Sequence, residues 1–316
     1  MQTEIEYEDL LSLWSDLESG IGIILASPAS IQEFEQRVWQ YDRWMQALLL
    51  RDTDVGLYLL FQLATNSPVG YSASHALICA VLCHLMAAEL NVTLPERNSL
   101  VHAALTMNIA MTTLQDELAG QVEKPSPAQM SMIRAHTSKG SLMLSNLQVN
   151  DELWLDVVTR HHDERTDEGG FRTISAANRL ARILRIVDRY AAMISPRKSR
   201  TGRSTAESIR LLITATRAQA DDVGQALVRV VGLYPPGTYV RLDSAAVAVV
   251  MRRSAQASTP HVAIVVDETG QPIPHPQLHR TAVSGSKIAS ALAASALNLR
   301  INHHLILQMG AHASKY

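Results

Sequence analysis

The chain has 316 residues, of which 47% are hydrophobic and 18% charged, enough for one main core with an accessory unit. Its 28 Lys+Arg against 30 Asp+Glu leave a formal net charge of −2, so no global positive field is available to hold nucleic acid or an anionic membrane, and an anionic ligand needs a local site. The apolar run Ala76 to Cys83, closed by His84, falls short of the roughly 20 residues of a membrane span, and a start carrying Glu4, Glu6, Glu8 and Asp9 is unlike a secretory signal, so a cytoplasmic protein without a membrane partner is expected.

Residues 1 to about 65 read as helical, because Leu10, Leu13, Trp14 and Leu17, then Phe34, Val38, Trp39, Trp44, Leu48 and Leu49, recur at three-to-four spacing. Ser27-Pro28-Ala29-Ser30 interrupts them. From Tyr71 to about Ile213 the pattern continues, with stripes at Leu77, Val81, Leu82 and Leu85, at Ile133, Leu142, Leu144 and Leu147, and at Ile183, Ile186, Val187 and Met193. Polar breaks at Asn91 to Glu96 and Glu123 to Pro127 separate the helices. After Gly232 the character changes: Tyr234-Pro235-Pro236-Gly237-Thr238 is a turn signal, followed by short β-rich runs at Val240 to Leu242, Val247 to Val250 and Val262 to Val266. The tail from Lys287 to Met309 is helix-like or mixed. The expected architecture is mainly α: an N-terminal helical segment over 1–65, a helical domain over 66–225, and a C-terminal β-containing extension and tail over 226–316.

The cysteines, Cys79 and Cys83, share a helix face and read as buried thiols. The 12 histidines are more informative, since neutral imidazole is the commonest metal ligand. His161-His162-Asp163-Glu164-Arg165-Thr166-Asp167-Glu168-Gly169-Gly170-Phe171 packs two imidazoles and four carboxylates into eight residues at the end of a helical run, before a Gly-Gly turn. Such donors suit a metal, and they equally suit a solvated helix end. His84, His102 and the pair His303-His304 read as packed or surface residues, and His161 as a helix-end residue favoured by the macrodipole or a substitute partner for His162.

Order and spacing add a resemblance. The segment from His162 to Phe171 resembles the H-H-E-x-x-D-G-x-G-Y-P signature of the HD-GYP branch of the HD phosphohydrolase superfamily. Tyr71-Ser72-Ala73-Ser74-His75 is similar to its Y-S-x-x-H, and His136-Thr137-Ser138-Lys139-Gly140 to its H-P-x-x-G. Arg185 to Arg200 resembles the helix that carries the last ligand Asp and the S-x-R-x-Y-R that follows, and Gly232 to Leu242 resembles the I-G-x-Y-P-x-G-x-x-V-x-L extension. The resemblance spans about residues 65 to 265. It implies an HD-domain-like helical bundle with metal ligands at His75, His136, His162, Asp163 and Asp188, and phosphate or nucleotide contacts from Arg197 and Arg200. It also implies a divalent metal, Fe or Mn, and a cyclic di-GMP phosphodiesterase lineage.

At one point the chain departs from that pattern. The A-L-L-H-D-I-G-K of the family falls on Ala104-Leu105-Thr106-Met107-Asn108-Ile109-Ala110-Met111, so Met107 stands at a ligand His and Asn108 at the bridging Asp. A thioether is a poor ligand for hard metals, and a neutral amide cannot replace a bridging carboxylate. At most one metal is therefore expected, and none if the site is fully degenerate. Two functions stay open: a degenerate protein of bacterial signalling that binds a cyclic dinucleotide or a signalling protein, or a working metal-dependent phosphodiesterase at a rebuilt mononuclear site. Residues 1–65 offer a surface for a homodimer.

Overall fold

The computed structural model describes residues 2–66, 69–164, 170–195, 197, 198, 207, 208, 211, 222–283, 285–292 and 301–313. In chain order the helices are α1 Gln2–Ala26, α2 Phe34–Arg51, α3 Thr53–Asn66, α4 Tyr71–Glu89, α5 Leu94–Thr106, α6 Thr112–Ala119, α7 Pro127–Asn146, α8 Glu152–Arg160, α9 Ala176–Ile194, α10 Asp222–Val231 and α11 His303–Ala313. The strands are β1 Tyr239–Leu242, β2 Val247–Arg252, β3 His261–Val266, β4 Pro272–Arg280 and β5 Ile288–Leu292. The mainly helical expectation holds, with a small antiparallel sheet near the C-terminal end of the chain. The expected divisions after residues 65 and 225 fall inside α3 and α10.

α4 is the central helix. It is long and apolar enough to cross a membrane by length and composition, yet it is mostly buried inside the fold, and α1, α3, α5, α6, α9 and α10 all pack against it. Its start is set by Gly70, whose φ of +137° is a left-handed conformation that side chains rarely adopt. The Asp116 carboxylate of α6 then accepts the Ser72 N–H at 2.7 Å and the Ser72 hydroxyl at 2.8 Å, satisfying a backbone donor of the first turn. Three residues later, the same helix presents His75.

Other helices begin with equally local chemistry. Thr93 and Glu96 form a capping box on α5, and Ser126 and Gln129 form one on α7, each with a proline in the first turn. Asp151 caps α8 by accepting the Trp154 N–H at 3.0 Å, and its other oxygen accepts the Ser99 hydroxyl at 2.7 Å. Trp154 is fully buried, and its indole N–H donates to Thr106 Oγ1 at 2.8 Å, which locks α8 to α5.

The sheet has the order β4-β3-β2-β1-β5. Along β2, Val247, Val249 and Met251 join the main helical core, while Ala248 and Val250 join a second cluster with Val240 and Val262. Both faces are covered, and this two-sided burial explains why the Val247 to Val250 run is continuously apolar. β4 lies outside the β-rich runs expected from sequence because Pro272, Pro274 and Pro276 interrupt it; among the described residues it is an edge strand paired with β3, where a missing N–H is tolerated. Arg252 to Asp52 at 2.6 Å, Arg253 to Asp54 at 2.6 Å, and Tyr58 Oη to His303 Nδ1 at 2.7 Å fasten the sheet and α11 to α3 and the α2–α3 junction.

Candidate metal centre

Two groups of ligand-type side chains meet inside the bundle. The first joins α4 to α9 across 113 residues of sequence: His75 Nε2 lies 2.8 Å from Asp188 Oδ1. Cys79, one turn after His75 on the same face of α4, brings its Sγ to 3.6 Å from the same nitrogen. His75 is buried, and its Nδ1 has no hydrogen-bond partner among the described residues. Tyr71 stacks on the His75 ring with centroids 5.5 Å apart. The Arg197 guanidinium lies 4.7 Å from the centroid of the Tyr71 ring and donates from Nη2 to the Tyr71 hydroxyl at 2.8 Å.

Burial alone would raise the Asp188 carboxyl, but the hydrogen bond and charge of His75, with the charges of His161 and His162, outweigh it and hold the pKa at about 2. Asp188 is thus an anion at neutral pH. Burial drives the Cys79 thiol well above its usual range, with the Asp188 charge adding to the effect, so without a cation beside it the sulfur stays protonated.

The second group is His136 on α7 with His161 and His162 in the turn that ends α8. His136 Nδ1 lies 2.5 Å from the Ile133 carbonyl oxygen, and His161 Nδ1 lies 2.7 Å from the Val158 carbonyl oxygen. A carbonyl only accepts, so each Nδ1 carries the proton and each Nε2 is left with a lone pair. The two Nε2 atoms sit 3.3 Å apart. Burial, reinforced by the neighbouring His162, lowers the His161 pKa to about 3, and burial lowers that of His136 as well, so neither ring supplies a proton to this gap at neutral pH.

Two facing lone pairs repel unless a cation lies between them. Nitrogens bound at about 2.0 to 2.1 Å to one tetrahedral metal stand about 3.3 Å apart, the separation found here. Backbone carbonyls that hold the opposite ring nitrogens are also the usual support for ligating histidines. The donors therefore fit a divalent metal.

Of the residues singled out from sequence, the fold brings His75 and Asp188 into one group and His136 and His162 into the other. Asp163 belongs to neither: its N–H donates to the Arg160 carbonyl oxygen at 2.8 Å and its own carbonyl accepts from Arg185 at 3.2 Å. His161, read as a helix-end residue or a substitute partner, is fully buried against His136, whereas His162 is exposed. From sequence, Cys79 is a buried core thiol. Its four-residue spacing from His75 was the available signal, but only the position of Asp188 gives that spacing a chemical meaning. Met107 is buried in the apolar core, and Asn108 follows it at the start of a short 3-10 turn over Ile109–Met111. Arg200 and Asp167 lie outside the described residues.

A family model described as HD domain matches residues 59–222. The chain is 29% identical over 225 residues to the cyclic di-GMP phosphodiesterase PA4108 of Pseudomonas aeruginosa, an alignment covering 70% of this chain and 53% of that protein. The chain thus spans about half the length of that curated relative. Among solved structures, Bd1817, an HDGYP protein from Bdellovibrio bacteriovorus, has a similar fold with a TM-score of 0.53 at 11% identity, covering 72% of each chain.

Proposed function

The chain belongs to the HD domain family, and from that premise we propose that it is a degenerate HD-GYP-like protein that binds a cyclic dinucleotide such as cyclic di-GMP in bacterial signalling, with catalysis impaired. The observation that carries this reading is the pair Met107-Asn108. Among the described residues, the two ligand groups contain one carboxylate, Asp188, already paired with His75. Two dications held close together repel strongly without an anionic bridge, and neither a buried thioether nor an amide provides one. A signalling protein as partner is the companion expectation.

When bound, a divalent metal supplies Lewis acidity and positive charge toward a phosphate. His136, His161 and His162 would hold it. The protein's own part is to keep His136 and His161 neutral by burial and oriented through the Ile133 and Val158 carbonyls, and to offer the Arg197 guanidinium, fixed over Tyr71, to a phosphate oxygen. The Arg197 Nε has no partner among the described residues, which leaves a donor for a ligand.

A second reading, a working phosphodiesterase with one metal, is favoured by the His136 and His161 lone pairs, which suit a single ion without any bridge. Calorimetry of the full chain with cyclic di-GMP, run beside a turnover assay in Mn²⁺ and Fe²⁺, separates the two. Binding heat without linear dinucleotide product is expected. Turnover that disappears in His136→Ala would overturn the degenerate reading in favour of the second.

A further inference from the structure

We infer that Cys79 is a metal ligand and that the His75, Cys79 and Asp188 group takes a thiophilic dication of the zinc class rather than Mn²⁺ or Mg²⁺. The inference rests on reading these side chains as part of a centre that holds one ion at a time, and goes beyond it in naming a sulfur donor and the metal it selects: a zinc-class ion takes this group, and Mn²⁺ takes His136, His161 and His162.

The geometry carries the argument. Sulfur at about 2.3 Å and nitrogen at about 2.0 to 2.1 Å from one tetrahedral zinc stand about 3.5 Å apart. Cys79 Sγ and His75 Nε2 are separated by 3.6 Å. The sulfur, the imidazole nitrogen and an Asp188 oxygen all lie within 4.8 Å of one another. The Asp188 oxygen, now hydrogen-bonded at 2.8 Å, would move outward by about 0.6 Å once that contact became joint tetrahedral ligation. Cys79 and His75 are placed by one helical turn of α4, so their spacing does not depend on a loop. The set is also charge-matched, since a thiolate and a carboxylate together offset a dication.

Cys83, the next turn along, shows the contrast. It is equally buried, yet it stands in no group of ligand-type residues among those described. Softness then decides the metal. Thiolate ligands favour zinc and related ions, whereas Mg²⁺ and Mn²⁺ prefer oxygen donors.

The test is Co²⁺ and Zn²⁺ binding to the metal-stripped full chain. A near-ultraviolet sulfur-to-cobalt charge-transfer band is expected in the native protein and in Cys83→Ser, and not in Cys79→Ser. Zn²⁺ affinity, measured by competition with a chromophoric chelator, should fall at least about tenfold in Cys79→Ser, as is usual when support of a metal site is lost, while Mn²⁺ affinity stays within experimental error. Zinc-edge X-ray absorption on the unmutated protein gives an answer that needs no variant to fold: a sulfur shell at about 2.3 Å is expected. Stoichiometric metal with nitrogen and oxygen neighbours only, and no cysteine-dependent band, overturns the sulfur ligand while leaving the metal centre intact. Failure of every ion to bind overturns both.

Discussion

His136 Nε2 and His161 Nε2 face each other at 3.3 Å, and the carbonyl oxygens of Ile133 and Val158 hold the protons on the opposite ring nitrogens. Without a cation this contact is repulsive, and with one it becomes attractive. Metal should therefore raise the thermal stability of the folded chain. At a concentration one hundred times Kd the gain is about 2.7 kcal/mol. Differential scanning calorimetry with and without Mn²⁺ measures it; in His161→Ala the increment should shrink to near zero, and an unchanged increment would place the ion elsewhere.

A buried ion pair ties α2 to α5 on another part of the bundle. Asp42 accepts from both terminal nitrogens of Arg97 at 2.8 Å, and His102 Nε2 lies 3.3 Å from its second oxygen, with all three residues buried. Removing the carboxylate leaves the guanidinium uncompensated. Asp42→Ala should cost about 3 to 5 kcal/mol, read from the shift in urea midpoint at constant slope. A loss under about 1 kcal/mol, the value of an exposed pair, would contradict the assignment.

The same network predicts a pH dependence. Arg97 Nε donates to His84 Nδ1 at 2.8 Å, so that nitrogen must stay unprotonated. Burial first, and then the Arg97 charge, lower the His84 pKa from 6.5 to about 4. Between these values the unfolded chain binds a proton that the folded chain refuses. The contribution is complete above pH 6.5, declines as pH falls, and is gone below about 4. His84→Gln, which keeps an acceptor for Arg97 but does not titrate, should flatten the stability profile in this window. An unchanged slope in equilibrium unfolding would refute the assignment.

Arg197 makes a more specific demand. Its guanidinium lies over Tyr71 and donates to the Tyr71 hydroxyl, a planar arrangement that an ammonium cannot reproduce. Arg197→Lys should weaken cyclic di-GMP binding by about tenfold, equivalent to about 1.4 kcal/mol, and change the thermal midpoint little because the residue is only partly buried. Calorimetric titration decides it: equal affinity in the two proteins would remove Arg197 from the ligand site.

The sequence alone determined whatever depends on neighbours a few residues apart. Helical periodicity marked the bundle, the Tyr234 to Thr238 turn marked the change to strands, and residue type with motif order singled out His75, His136, His162 and Asp188. Met107-Asn108 was equally legible, since an altered side chain needs no coordinates to be seen. Tertiary structure decided what depends on convergence. One rotation around the end of α8 separates buried His161 from exposed His162, and no local pattern states which of two adjacent residues turns inward. Cys79 looks like any small core residue until α9 brings Asp188 beside His75 from 113 positions away. Asp42 and Arg97 likewise meet across 55 residues. Local propensity fixes which elements form, but only the packing of their apolar faces fixes which polar side chains are carried inward together, and at this centre that packing determines the ligand set.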